Sequence, residues 1–444
     1  MPKFPALTHP PQERAYLFGI ERKGESPLLS LRDSLAELAR LSETAGLRVV
    51  GQDYQRIQKA DANTLIGSGK VEQLRQRVND TGAEVVIFDE ELAPRHLREI
   101  ERALGEEVRV LDRTALILDI FAQHAHSREG ALQVQLAQYE YRLPRLTRAW
   151  THLARQSGGA AGRGGTGGVG LRGPGETQLE IDRREVARHI AHLQRELEKV
   201  RAHRSRYRLQ RKRSGIPVVA LVGYTNAGKS TLLNAIAHTE LYTADQLFAT
   251  LDPTTRRIRL PQRHEVLLTD TVGFIQKLPS TLVAAFHATL EEIGEADLLV
   301  HVVDITHPNA AEQAQAVHQT LKELEIVDLP IVTALNKSDQ LQLSEETRAQ
   351  LLTNPSAILI SALHGEGVPA LLARIESALF ETLTPVRVRL PATAGNLIQM
   401  FYRLGCVESV TPGASGVIIC GRLPGYLMET FREFIAPPLS KDHR

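Results

Sequence analysis

The chain is poor in the residues that define several common classes of protein. Its 444 residues include two cysteines, one tryptophan and three methionines, and aromatic residues make up 5% of it. Cys406 and Cys420 are too few for a disulfide framework or a cysteine-based metal site. No apolar run approaches the roughly 18 residues that span a bilayer. Residues 1–11 hold four prolines where a signal peptide needs an apolar core. These absences predict a cytoplasmic globular protein, and the length predicts about three domains.

The net charge of +1 hides a strongly basic segment. Between Arg183 and Arg213, twelve Lys or Arg stand against three Glu, so the rest of the chain is mildly acidic. A segment of this kind predicts a polyanionic partner. The alternative is a solvated helix face whose positive charges suit the carboxyl end of the helix.

Apolar periodicity divides the chain into four parts. Residues 1–125 alternate strand and helix patterns, which predicts an α/β domain. Residues 126–214 predict a helical hairpin around the segment 158–175, where ten of eighteen residues are glycine. Residues 215–382 alternate buried strands with helices, as in an open parallel sheet. Residues 383–444 predict a small α/β domain. The predicted strands are 15–20, 47–53, 84–89, 107–111, 218–222, 265–268, 298–303, 331–335, 358–360, 386–390 and 416–420, and the predicted helices are 31–44, 94–104, 131–142, 146–155, 176–211, 229–237, 396–404 and 427–435.

A phosphate-binding loop follows the strand 218–222 and opens the helix 229–237. The pattern G-x-x-x-x-G-K-S lets backbone N–H groups curl around phosphates at the positive end of a helix. Lys229 is expected at the β- and γ-phosphates, and the hydroxyl of Ser230 is expected to bind Mg²⁺. The predicted loop residues are Gly223, Tyr224, Thr225, Asn226, Ala227, Gly228, Lys229 and Ser230.

Two further segments are expected beside the terminal phosphate. Asp270, Thr271, Val272 and Gly273 follow the strand 265–268, so that Asp270 can reach Mg²⁺ through water and the Gly273 N–H can sense the γ-phosphate. A switch threonine is expected within Phe248, Ala249, Thr250, Leu251 and Asp252. Thr250 is assigned as the second Mg²⁺ ligand, with Thr254 and Thr255 as alternatives.

Guanine recognition is predicted from two short segments that follow strands. Asp339 can accept hydrogen bonds from the N1–H and N2–H₂ groups of guanine, which adenine lacks. The base-binding residues are predicted to be Asn336, Lys337, Ser338 and Asp339, together with Ser361, Ala362 and Leu363.

The position after Gly273 carries no catalytic glutamine. Ras-like enzymes have a Gln there that orients the attacking water, whereas this chain has Phe274. We therefore assign no catalytic residue and expect slow intrinsic hydrolysis that a partner, another residue or an ion completes. The amide oxygen of Asn226 is a candidate ligand for K⁺, with a plain polar loop residue as the alternative.

The combined motifs resemble the HflX family of translational GTPases. Besides the nucleotide motifs, the resemblance is carried by the stretches 63–71, 130–146 and 173–180, and it covers roughly residues 12–380. It implies an N-terminal α/β domain, a helical coil with a Gly-rich loop, a GTPase domain and a C-terminal α/β domain. It also implies GTP-dependent binding to the large ribosomal subunit, in ribosome splitting, rescue or biogenesis, by a chain that is monomeric away from the ribosome.

Two surfaces outside the nucleotide site have competing interpretations. RNA contact is the hypothesis for the Gly-rich segment and the end of the long helix, against a passive linker and a solvated face. Its residues are Arg163, Arg172, Arg204, Arg206, Arg208, Arg211, Lys212 and Arg213.

Gly67-Ser68-Gly69-Lys70 is read as a helix-starting turn, with a second, ATP-binding site as the alternative. A GTPase acting on another RNA, or a GTP-dependent binding protein with incidental hydrolysis, are the alternative functions.

Overall fold

The computed structural model describes residues 12–24, 28–105, 107–145, 174–214, 216–237, 247–248, 251, 253–277, 293–326, 329–341, 357–380, 383–391, 393–413 and 416–436. The chain separates into two compact units. The first comprises residues 1–200 with 246–251 and 277–287, and the second holds the remainder. Among the described helices, none has the length and apolar content to cross a membrane.

The first unit has the α/β organisation that the alternating pattern predicts, and it is built on a four-stranded parallel sheet. Its strands are β1 (Arg14–Arg22), β2 (Arg48–Ile57), β3 (Val85–Phe88) and β4 (Arg109–Asp112), in the order β2-β1-β3-β4. Its helices are α1 (Leu31–Thr44), α2 (Ser68–Thr81), α3 (Pro94–Leu104) and α4 (Arg113–His124). The turn at Gly67 does start a helix, α2, as expected. The periodicity did not indicate α4, whose sequence is apolar on nearly every face because it is buried.

Two longer helices complete the first unit. They are α5 (Arg128–Arg142) and α6 (Pro174–Ser214), and α6 continues into the second unit. Leu136 of α5 packs with Leu193 and Leu197 of α6 in a small apolar cluster. The predicted helix 146–155 and the Gly-rich segment 158–175, except for the first residues of α6, lie outside the described residues.

The second unit contains the predicted open sheet, which has six strands among the residues that the structure describes. They are β5 (Val218–Gly223), β6 (Thr254–Arg259), β7 (Glu265–Asp270), β8 (Leu298–Asp304), β9 (Ile331–Asn336) and β10 (Ala357–Leu359), in the order β10-β9-β8-β5-β7-β6. Its helices are α7 (Lys229–Ala237), α8 (Ala310–Glu323) and α9 (Val368–Phe380). All strand pairs are parallel except β6 with β7. The edge strand β6 was not predicted, because its Thr- and Arg-rich sequence carries a single apolar residue, Ile258.

A small antiparallel sheet follows at the carboxyl end. Its strands are β11 (Leu383–Pro391), β12 (Cys406–Gly413) and β13 (Gly416–Pro424), in the order β11-β13-β12, with α10 (Gly395–Leu404) and α11 (Met428–Phe431). The predicted helix 427–435 is wrong as a single helix. The chain leaves α11 for a 3₁₀ turn because Ile435 forms a β-bridge with Val388 and the Ala436 N–H donates to the Arg387 carbonyl at 2.8 Å.

Candidate guanine-nucleotide site

The phosphate-binding loop has the backbone geometry that its sequence predicts. Asn226 adopts a left-handed conformation at φ 62°, which asparagine tolerates better than most residues, and Gly228 lies at φ 94°. A Cβ atom on Gly228 would stand 2.2 Å from Nδ2 of Asn336. Only glycine therefore lets the predicted base-binding segment, residues 336–339, approach the loop this closely. The loop and the base-binding segment are therefore built against each other.

Lys229 is enclosed by the loop. Its side chain is buried, and Nζ donates to the carbonyl oxygens of Gly223 and Tyr224 at 3.1 and 2.9 Å. Burial lowers the pKa of Lys229 to about 8, against the opposing charge of Asp270. An anionic phosphate beside this ammonium would be strongly favoured, because little water is present to screen the two charges.

Ser230 and Asp270 form the oxygen pair expected of a magnesium site. The Ser230 hydroxyl donates to Oδ2 of Asp270 at 2.6 Å, and Asp270 is buried at the end of β7. Thr271 donates to the Leu221 carbonyl at 2.6 Å and fixes this strand end against β5. Oxygen donors are what Mg²⁺ prefers, and P-loop GTPases normally use this ion. The residues present fit it: Ser230 would bind the ion directly and Asp270 would hold it through water.

The predicted base-binding segment, residues 336–339, is fixed by contacts of two of its own side chains. Asn336 donates from Nδ2 to the Ala227 carbonyl at 2.8 Å, and its Oδ1 accepts from the Ala362 N–H at 2.9 Å. Nζ of Lys337 contacts Oδ2 of Asp304 at 2.6 Å. Burial alone would raise the pKa of Asp304, but the bonds from Lys337 and Thr306 outweigh it and hold that pKa below its ordinary value.

Asp339 follows in a short 3₁₀ turn, Ser338–Gln340, and lies close to the second predicted segment. Its Oδ2 is 3.9 Å from Nε2 of His364. Ser361 is fully buried, whereas Leu363 is 70% exposed. The structure thus brings together the loop, Asn336 and the backbone N–H of Ala362, and it places Asp339 beside His364.

The predicted switch segment is described only in part. Phe248 is buried and its ring packs edge-on against Phe121, with ring centroids 4.6 Å apart. Leu251 is buried as well. Ala249, Thr250 and Asp252 lie outside the described residues, so Thr250 stays a prediction. The alternatives Thr254 and Thr255 lie in β6, where Oγ1 of Thr255 contacts Oγ1 of Thr269 at 2.9 Å.

Phe274 occupies the position of the missing glutamine and is turned away from solvent. Only 2% of its surface is exposed, together with 3% of Ile275. An apolar ring in this setting has no hydrogen-bonding atom with which to hold a water molecule. The expectation that this position supplies no water-orienting group is consistent with the geometry.

Lys277 was not singled out from the sequence. Its Nζ lies 2.6 Å from Oδ2 of Asp89 and 2.7 Å from Oε1 of Glu90, all within the first compact unit. Asp89 directly follows β3 and is buried. Burial would raise its pKa, but the charges of Arg113 and Lys277 outweigh this and lower it. No local pattern could have indicated a contact between residues 188 positions apart.

The proposed RNA-contact residues are not tested by the geometry. Arg163 and Arg172 lie outside the described residues, and Arg204, Arg206, Arg208, Arg211, Lys212 and Arg213 lie in α6 in the part whose side chains are not described. Within the described residues, no cluster of three or more His, Cys, Asp or Glu is placed to hold a metal ion.

A buried histidine under the site predicts an acid-labile fold. His301 is 2% exposed in β8, edge-on to the ring of His318. Burial, then the charges of His318 and Lys229, lower its pKa to about 3 from 6.5. Between these values the unfolded chain binds more protons than the folded chain. The free energy of unfolding should therefore fall by about 1.4 kcal/mol per pH unit on acidification below 6.5.

Replacement of His301 with Leu should flatten that dependence. We expect the difference in the free energy of unfolding of this domain between pH 6.5 and pH 5 to shrink by about 2 kcal/mol in the variant. Hydrogen exchange of the β5 and β8 amides at the two pH values measures it. An equal loss of protection in both proteins would assign the acid sensitivity to other groups.

Comparisons with known proteins agree with this site. Residues 218–337 match a family model described as "50S ribosome-binding GTPase", residues 32–122 match "GTP-binding GTPase N-terminal", and residues 124–211 match "GTP-binding GTPase Middle Region". The GTPase HflX of Alkalihalophilus pseudofirmus is 46% identical over 387 residues, which cover 87% of each chain. That of Caldanaerobacter subterraneus is 42% identical over 424 residues, covering 96% of this chain and 94% of the relative.

Two further proteins are similar to this chain. The GTPase HflX of Escherichia coli is 43% identical over 377 residues, covering 85% of this chain and 86% of the relative. A solved GTP-binding protein from Sulfolobus solfataricus in complex with GDP is 26% identical, covering 82% of this chain and 98% of that chain, with a TM-score of 0.44. The identities and coverage of the HflX relatives, with the nucleotide site described above, lead to one conclusion: the chain belongs to the HflX family of GTPases, binds guanine nucleotides and hydrolyses GTP.

Proposed function

We propose that this chain is a GTP-driven switch that docks on the large ribosomal subunit in its GTP state and leaves after hydrolysis, in ribosome splitting, rescue or biogenesis. Family membership carries the proposal, together with the matched model over 218–337, whose description names binding to the 50S ribosome. A cytoplasmic location and a monomeric state away from the ribosome follow as parts of it. So does the division into domains 1–125, 126–214, 215–382 and 383–444.

The basic part of α6 is the proposed contact with ribosomal RNA. Between Arg183 and Arg213 positive charges outnumber negative ones by nine, and charges this dense repel one another unless phosphates neutralise them. The glycines of 158–175 leave backbone bare enough to approach RNA closely. Neutralising three of the arginines between 204 and 213 should flatten the dependence of log K on log salt by roughly 2–3.

Sedimentation through a sucrose gradient tests the docking. With a non-hydrolysable GTP analogue, the chain should co-migrate with large subunits, and with GDP it should remain at the top. Co-migration with neither subunit, combined with binding to another RNA, would favour the alternative of a different RNA substrate. If the salt slope is unchanged in the neutralised variant, the alternative interpretation is favoured, in which the basic segment is a solvated helix face.

Hydrolysis is proposed to be slow alone and stimulated by the subunit. Phe274 is buried and offers no hydrogen-bonding group to the attacking water, so the missing function has to come from elsewhere. Turnover measured with and without purified large subunits tests this. Equal rates would favour the alternative of a binding protein with incidental hydrolysis.

Asn226 is the proposed ligand of a potassium ion beside the phosphates, in addition to Mg²⁺ at Ser230 and Thr250. Its left-handed backbone places it at the turn of the loop. A cation there would neutralise charge that develops on the phosphates during hydrolysis. Hydrolysis should be faster in KCl than in NaCl at equal ionic strength, and replacement of Asn226 with Ala should remove the difference. Equal rates of the unchanged chain in both salts would exclude the ion.

A further inference from the structure

The chain after Gly273 is held on the phosphate-binding loop by three hydrogen bonds. The Phe274 N–H donates to the Gly223 carbonyl at 3.0 Å, and the Thr225 N–H donates to the Phe274 carbonyl at 2.8 Å, which makes a short parallel bridge. The third bond comes from a side chain: the Gln276 N–H donates to the hydroxyl of Tyr224 at 2.9 Å. We call residues 273–276, held in this way, the docked segment.

The docked segment lies beside Lys229, which is expected to bind the terminal phosphate. A Cβ atom on Gly273 would stand 2.8 Å from Cα of Thr225 and 3.0 Å from Nζ of Lys229. Lys229 is the residue that P-loops direct to the β- and γ-phosphates. Here its ammonium donates to loop carbonyls. A γ-phosphate held by Lys229 would therefore lie directly against the docked segment.

Tyr224 is the loop residue whose side chain holds the docked segment. Its residue surface is 4% exposed, and its hydroxyl reaches a backbone amide 52 positions later. The other two docking bonds use backbone atoms that every residue carries, so the tyrosine hydroxyl is the part that this sequence adds. A phenylalanine at this position would keep the buried ring and lose the bond.

We propose that Tyr224 is a positioning residue that sets the preference between GTP and GDP. Its hydroxyl holds residues 273–276 on the loop when no γ-phosphate is bound. GDP lacks the γ-phosphate that would lie against the docked segment, so it binds whether or not the segment is docked. GTP binds after the segment is displaced, and its apparent affinity is reduced by the docked fraction. This inference concerns the nucleotide alone and does not depend on the ribosomal partner.

The Tyr224→Phe variant of the full chain provides the test. One hydrogen bond to a backbone amide contributes roughly a factor of 3–10 to the docking equilibrium. The dissociation constant of a non-hydrolysable GTP analogue should fall about 3–10-fold, while that for GDP should change less than twofold. Titration calorimetry measures both. A change of equal size for the two nucleotides, or no change for either, overturns the proposal, because a merely structural hydroxyl does not discriminate between them.

Tyr141→Phe is the matched control. This variant also loses a partly buried hydroxyl bond, from Tyr141 to Oδ1 of Asp112 at 2.8 Å, in the other compact unit. Its ratio of GTP-analogue to GDP affinity should stay unchanged. If that ratio shifts as much as in Tyr224→Phe, the effect is a general loss of stability and the proposal fails.

Hydrogen exchange on the unsubstituted chain tests the idea should Tyr224→Phe fail to fold. The amides of Phe274 and Gln276 should be protected with GDP bound and should exchange at least tenfold faster with the GTP analogue bound. Equal protection in the two states would mean that the segment stays docked when the γ-phosphate arrives, which overturns the proposal.

Discussion

Replacing Asp339 with Asn should change the nucleotide preference of the protein from GTP to xanthosine triphosphate (XTP). The carboxylate accepts two N–H groups from guanine, whereas an asparagine amide presents its own N–H₂ group, which matches the 2-carbonyl of xanthine. Sites that hydrogen-bond a polar group reject analogues that cannot pair with it by factors of 10⁴–10⁵. We expect the affinity for GTP to fall by about 10³-fold or more and XTP to bind in its place.

The segment around Asp339 should survive this change, because other side chains hold it. Asn336 bonds to Ala227 and Ala362, and Lys337 pairs with Asp304. Calorimetric titration with GTP and XTP measures the exchange of preference. Gln340→Asn, at the exposed neighbouring position, is the control and should leave GTP affinity unchanged. If Asp339→Asn keeps its affinity for GTP, the base is read by other groups.

The sequence was sufficient for the strands and helices that carry the nucleotide motifs, because these elements depend on local pattern. Each nucleotide motif follows a strand with apolar residues on successive positions, and the carboxyl ends of parallel strands meet at one edge of a sheet. The helices 31–44, 94–104 and 229–237 were predicted with the bounds they have. Glycine positions were informative for the same reason, since Gly228 is required by a close approach that its motif implies.

The features that were missed depend on contacts distant in sequence. β6 has no apolar alternation, and it is a strand because it pairs with β7 from Thr254 to Arg259. The ion pair of Lys277 with Asp89 and the bond of Tyr224 to Gln276 join residues far apart along the chain. A single sequence records the residue types but not which of them meet. The same limit explains the helix 427–435, which a bridge to Val388 interrupts.

The largest stability effect is expected at Arg113. This side chain is 2% exposed, donates to Oδ1 of Asp89 at 2.7 Å and also pairs with Glu37. Asp89 is fully buried and accepts further bonds from Ser34 and Lys277. Arg113→Met removes the guanidinium but keeps an apolar stem, so two carboxylates are left without their main counter-charge. Loss of one partner from a buried pair costs about 3–5 kcal/mol.

Hydrogen exchange of β1 and β3 measures this cost locally, which matters because a multidomain chain does not unfold in one step. In the Arg113→Met variant we expect these amides to exchange about 10²–10³-fold faster, where their exchange follows unfolding of the sheet. Arg102→Met is the matched control, since Arg102 is 62% exposed in its pair with Glu99 and an exposed pair contributes less than about 1 kcal/mol. If both variants exchange alike, the buried pair is no stronger than a surface pair. The sheet would then owe its stability to its apolar core, in which Phe18, Phe88 and Leu74 are wholly enclosed.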